Sequence, residues 1–218
     1  MARIGWTILG CCLLACLLAV LPACQVAPAG TREQVQETLA RWPGRTPKTF
    51  FVTLHATGQR ATASGFLDVP SPADPQTFRI TALTELGYVL FDVSAAGGTV
   101  EVRRILPGLP QMIVTNLCRD VMLALAPPEH LERFASKGNE SLAYFKTADG
   151  HHGHAHFEDT EGVRRLRSVE IEVGGFDKLT VEYGDYDADG RPLRMTLHRP
   201  LRGYTLLLRF TARYSTTS

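Results

Sequence analysis

The sequence predicts a mainly β (α+β) domain. We expect a strongly curved antiparallel sheet, an incomplete β-barrel of about eleven strands, with helices covering its concave face. Three observations carry that expectation. From Lys48 onward, short runs of alternating apolar and polar residues are separated by turns rich in Gly, Pro and Asp. The last three runs alternate most cleanly: Leu179, Val181 and Tyr183 share one face, Leu193, Met195 and Leu197 the next, and Tyr204, Leu206, Leu208 and Phe210 the last. Their opposite faces carry Thr180, Glu182, Arg194, Thr196, His198, Thr205 and Arg209, a solvated pattern. Only two long stretches have helical spacing. A single sheet of this width curls, and its apolar face then needs a cover.

The elements follow in order. Val35, Leu39 and Trp42 fall on one face of a helix over Thr31–Trp42, which Pro43-Gly44 stops. Five strands come next: from Phe50, over Ala61–Val69, around Phe78–Ala82, over Tyr88–Val93 and over Thr99–Leu106, joined by short turns as a meander. Pro107-Gly108-Leu109-Pro110 breaks it. Ile113, Leu117, Val121 and Leu125 then form the apolar stripe of the longest helix, Met112–Ala126, with Arg119-Asp120 on another face. Pro127-Pro128 ends that helix and opens a short one over Glu129–Phe134. Six more strands are expected: Ser141–Thr147, Gly153–Glu158, Val163–Val173, Lys178–Gly184, Pro192–Arg199 and Gly203–Tyr214. No interval repeats.

The N-terminus has a different texture. Arg3 precedes an apolar run from Ile4 to Val20, and Leu21-Pro22-Ala23 leads into Cys24. This order reads as a secretory signal over residues 1–23. It resembles the bacterial lipobox, which implies that the Cys24 thiol receives a diacylglycerol and the freed amine a further acyl chain. Cleavage before Cys11 or Cys16 would leave Leu17-Leu18-Ala19-Val20-Leu21 on the mature chain, so Cys24 is the expected attachment site. Residues 24–30 read as a flexible tether and 31–218 as one domain. In the resembled lipoproteins Asp after the cysteine retains the protein in the inner membrane. Gln25 stands here, so the expected location is the periplasmic face of the outer membrane.

Composition narrows the function. Removing Arg3 leaves acidic and basic residues equal in number, from 23 Lys+Arg and 22 Asp+Glu in the whole chain, and no basic stripe suits nucleic acid. Of the five cysteines, three lie in the signal and Cys24 is acylated. Cys118 is left alone, so the exported fold has no internal disulfide. No Gly-x-Ser-x-Gly, His-Glu-x-x-His or phosphate-cradling glycine loop occurs. The protein is therefore expected to be no enzyme and to use no cofactor. Asp185-Tyr186-Asp187-Ala188-Asp189-Gly190 matches half of a calcium loop, but Thr196 stands where the bidentate acid belongs, and a hairpin turn explains the same residues. His152, His154 and His156 project from one side of a strand, a pattern suited to Zn²⁺, Ni²⁺ or Cu²⁺, although neighbours about 7 Å apart strain a mononuclear site.

Three segments carry a family resemblance: Leu83-Thr84-Glu85-Leu86-Gly87-Tyr88-Val89-Leu90-Phe91-Asp92, Asn116-Leu117-Cys118-Arg119-Asp120-Val121-Met122-Leu123-Ala124-Leu125 and Arg202-Gly203-Tyr204-Thr205-Leu206. With the lipobox and the helical insertion, they resemble an uncharacterised proteobacterial outer-membrane lipoprotein family of the LolA/LolB-like superfamily. That resemblance implies a half-barrel holding acyl chains or lipidated protein between sheet and lid. Leu117, Val121, Leu125, Leu193, Met195, Leu197, Leu206, Leu208 and Phe210 would line the cavity. The superfamily's lipoprotein-inserting receptor has a protruding apolar loop. Here the corresponding turns are short, with Leu86 as the one candidate tip. Three readings stand open at this point. One is a lipid-binding lipoprotein, the second a scaffold of an envelope complex with a filled core, and the third a periplasmic metal binder using the His151–His156 hairpin.

Overall fold

The computed structural model describes Trp42 and residues 48–56, 62–71, 74, 76–128, 130–160, 163–188 and 191–211. Alternation produces strands wherever the sequence predicts them, and one more. The order is β1 (Lys48–Ala56), β2 (Thr62–Val69), β3 (Phe78–Leu83), β4 (Val89–Ala96), β5 (Thr99–Ile105), the helix α1 (Gln111–Leu125), then β6 (His130–Lys137) and β7 (Glu140–Lys146). It continues with β8 (His152–Thr160), β9 (Val163–Gly174), β10 (Asp177–Tyr186), β11 (Pro192–Arg199), a 3-10 turn over Pro200–Arg202, and β12 (Tyr204–Thr211).

All twelve strands form one antiparallel sheet in the order β5-β4-β3-β2-β1-β12-β11-β10-β9-β8-β7-β6. The first and last strands pair with each other at its centre, and the chain's midpoint lies at its two edges. This corrects the expected architecture. The sheet is open, neither closed into an incomplete barrel nor strongly curled, and it has twelve strands. Among the described residues a single α-helix covers it. The physical reason lies at the edges. β5 exposes Glu101, Arg103 and Arg104, and β6 exposes Glu132 and Arg133. Charged edges resist further pairing, and α1 is inserted between the two strands that closure would have to join.

The extra strand is β6, where a short helix was expected over Glu129–Phe134. A register shift between Leu131 and Arg133 breaks its alternation against β7, which hides the period-2 signal from the sequence. The expected helix over Thr31–Trp42 lies outside the described residues except for Trp42. That side chain is buried, edge-on to Phe145 at 5.7 Å between ring centroids.

Register gathers the apolar residues on one face. Val52 stands opposite Leu208, which stands opposite Met195; Leu197 lies between Leu206 and Val181. Leu67, Ile80 and Val93 continue the layer on the other side of β1. All of these are fully buried in one core with Phe145, Phe157 and Val169. β2 and β3 come so close that a Cβ on Gly65 would lie 1.9 Å from the Thr81 carbonyl oxygen, so only glycine fits there.

α1 packs on this face against β5, β4 and β11. It has no side-chain N-cap, no acidic residue in its first turn and no basic residue in its last. Little therefore stabilises it besides burial. Burial is extensive: every residue from Val121 to Leu125 is inside, as suits a helix segment that is apolar all round. Val121→Asp should place an unpaired carboxylate among apolar side chains and cost more than about 4 kcal/mol. Arg119 is exposed, and Arg119→Ala should cost under about 0.5 kcal/mol. Urea melts of the two variants check this, and the reverse order would mean that α1 is rotated about its axis.

Candidate functional site

A cavity among the described residues lies at one end of α1. It encloses about 580 Å³, inside the range of roughly 300–1,000 Å³ typical of ligand pockets. Five segments build it. Leu54 ends β1 and Thr62 and Ala63 begin β2; Thr84 and Leu90 flank the β3–β4 turn. Leu106, Pro107, Gly108 and Leu109 form the loop into α1, and Ile113 and Leu117 come from the helix itself. Arg202, Gly203 and Tyr204 come from the β11–β12 turn.

The local sequence explains why space remains here. Leu106 N–H donates to the Leu90 carbonyl at 2.8 Å, which ties the loop to the β3–β4 hairpin. Gly108 then turns at φ 91°, a conformation that favours glycine, and Pro110 starts α1. The loop thus passes over the sheet end, with Leu106 and Leu109 lining the space. Leu106 and Ile113 are partly exposed at the cavity, and Leu86, Tyr88 and Met112, close in sequence to lining residues, are exposed as well.

Below the cavity lies a buried polar cluster that sequence reasoning missed. Asp120, expected on a polar face of α1, is 1% exposed. Its Oδ2 lies 3.0 Å from Arg199 Nε and accepts a hydrogen bond from the Tyr204 hydroxyl. Arg199 is fully buried and also lies 3.0 Å from Asp177 Oδ2. None of its N–H groups meets an acceptor in hydrogen-bond geometry, so it is held by charge at short range. Arg202 lies 3.6 Å from Asp177 and 4.0 Å from Asp120. The signal was present in the sequence: an acid next to Val121-Met122-Leu123-Ala124-Leu125 has no solvated side to occupy, so it needs an internal partner.

Burial raises the Asp120 carboxyl above its ordinary 3.8, against the Tyr204 hydrogen bond and the two arginines. Burial likewise raises the Tyr204 hydroxyl, and it pushes the Cys118 thiol up to about 12, an inert buried group.

The expected cavity residues divide. Leu117 lines the cavity. Val121, Leu125, Met195, Leu197, Leu206 and Leu208 are fully buried in the packed core beyond it. Leu193 is half-buried, and Phe210 pairs with Phe50 along the backbone, its side chain outside the described residues. Cys24 and the tether also lie outside them.

His152, His154 and His156 project from β8 toward three different carboxylates: Glu132 at 3.6 Å, Glu170 at 3.9 Å and Glu140 at 4.0 Å. Among the described residues no three His, Cys, Asp or Glu side chains converge on one metal position. Asp187, from the calcium-like segment, accepts the Arg191 backbone N–H at 2.8 Å in the β10–β11 hairpin; Asp189 and Gly190 lie outside the described residues.

Among the described residues the fold and cavity define a class, an open antiparallel sheet with an apolar cavity at one end beneath a single α-helix. Within it, the chain belongs over residues 34–210 to the family described as protein of unknown function (DUF3261). No curated protein matches the chain. Among solved structures, LprF from Mycobacterium bovis is weakly and partially similar. Its TM-score is 0.32 at 8% identity, over 83% of this chain and 92% of that one. Among the described residues no helix is long and apolar enough to cross a membrane.

The raised Asp120 carboxyl gives a signed pH test. A folded-state value above the unfolded one means that the native state holds the proton more tightly. The stability of the wild type relative to Asp120→Asn should then be highest below pH 3.8. It should fall as pH rises through the raised value. Urea unfolding of both proteins from acid to neutral pH measures the difference; a gap that widens with pH would mean that the Arg199 pairing outweighs desolvation.

Proposed function

We propose that this protein is a non-enzymatic lipoprotein, anchored through Cys24 to the periplasmic face of the outer membrane, which binds lipid, acyl chains or acylated protein. The observation that carries the reading is the apolar cavity of about 580 Å³ under the N-terminal half of α1. Leu54, Leu90, Leu106, Leu109, Ile113 and Leu117 give it walls suited to hydrocarbon. Each methylene moved from water to such walls contributes roughly 0.8 kcal/mol, so a chain of about ten carbons gains roughly 8 kcal/mol toward offsetting the cost of association.

The lipobox and the three segments resembling a LolA/LolB-like family support the same reading. The binding place proposed here differs from the one the sequence suggested: it is the sheet end beneath the helix, not the length of the apolar face. A scaffold role is the second reading. It draws on the filled core around Val121, Leu125, Leu206 and Leu208, which leaves much of the sheet with no room for a ligand.

A Cys24→Ser form purified without detergent tests the proposal. It should leave the membrane fraction, remain folded, and release close to one equivalent of extractable lipid by mass spectrometry. A folded protein free of lipid would favour the scaffold, and one still bound to membranes would contradict the anchor.

A further inference from the structure

We infer that the cavity takes an amphiphile with an anionic head, a carboxylate or a phosphate, and that Arg202 binds this head. The inference rests on the lipid-binding reading above and adds the charge of the ligand. Arg202 is the one cation among the described cavity-lining residues. Its side chain is 31% exposed, while Arg199 beside it is 0% exposed.

The pairing pattern separates the two arginines. Arg199 reaches Oδ2 of both Asp120 and Asp177 at 3.0 Å. Arg202 reaches the same two oxygens only at 4.0 and 3.6 Å, distances at which no hydrogen bond forms. Asp120 Oδ2 also accepts the Tyr204 hydroxyl. The two carboxylates thus sit closer to Arg199, and among the described residues Arg202 meets them at longer range and without a hydrogen bond. A planar guanidinium held only at this range can turn its donors to a carboxylate or a phosphate, with two parallel hydrogen bonds.

Position favours the same role. Arg202 ends the Pro200–Arg202 turn, just before Gly203 at φ 68°. The turn brings it to a cavity otherwise walled by Leu54, Leu109, Ile113 and Leu117. Beside such walls a charge-assisted hydrogen bond is stronger than in water. The hydrocarbon supplies affinity, and the head supplies selection. A cationic head would instead face Arg202 directly.

Competition against a neutral fluorescent probe, N-phenyl-1-naphthylamine, tests this on the full chain. The competitors share one chain length and differ in head: dodecanoate, dodecyl phosphate, dodecanol and dodecylamine. Both anions should displace the probe at about tenfold lower concentration than dodecanol, with dodecylamine weakest. Arg202→Gln should bring the anions to the level of dodecanol and leave dodecanol unchanged, while Arg202→Lys should keep part of the preference. Equal displacement by acid and alcohol in the wild type would overturn the anionic head and leave a neutral acyl site. Failure of the probe and of every competitor to bind would overturn the lipid-binding reading itself. If Arg202→Gln does not fold, the wild-type head series and Arg202→Lys still decide.

Discussion

An aspartate inside the protein sets the position of the only α-helix described. Asp120 is carried by α1, whereas its partners Arg199 and Tyr204 flank the β11–β12 turn, far from it in sequence. Removing one partner of such a pair leaves a buried charge, at a cost of about 3–5 kcal/mol. The helix therefore has one favourable rotation on the sheet. Val121, Leu125 and Leu117 then face the core, and Arg119 faces water. Because α1 joins the edge strands β5 and β6, fixing it also fixes the separation of the two sheet halves.

The same rotation divides filled space from open space. The second half of α1 is buried on every side, so the sheet below it is solid. The first half begins on Pro110 after an arched loop, with Gln111, Met112 and Ile113 exposed, and there the cavity remains. Open space and tight packing thus occupy different ends of one helix. Proteins commonly place adaptable sites in their less tightly packed parts, and under the proposed function a ligand would enter without disturbing the core.

Much of the fold was legible in the residues, for a clear reason. Period-2 patterns report which side chains share a face, and Leu206, Leu208, Met195 and Leu197 are together inside as their spacing indicates. Such patterns say nothing about how the edges of a sheet end. Closure depends on whether strands separated by α1 meet, and β5 and β6 do not. β6 itself was obscured by Pro127-Pro128 and by the bulge at Leu131–Arg133. The site was less legible still. Its lining comes from strand ends and turns such as Leu54, Leu90, Leu109 and Arg202, which share no periodicity. Ile113 and Leu117 of the helix and Tyr204 of β12 did belong to readable stripes. Asp120 was detectable through its apolar neighbours, but its partner Arg199 ends a strand nearly eighty residues later and gave no signal.

α1 is locked at its second half and, under the proposed function, open to a ligand at its first. Native-state hydrogen exchange followed along the helix measures this directly. Amides of Val121–Leu125 should exchange only through global unfolding, while those near Met112 and Ile113 should exchange faster and slow down when dodecanoate is added. Uniform protection along α1 with no response to dodecanoate would contradict the account.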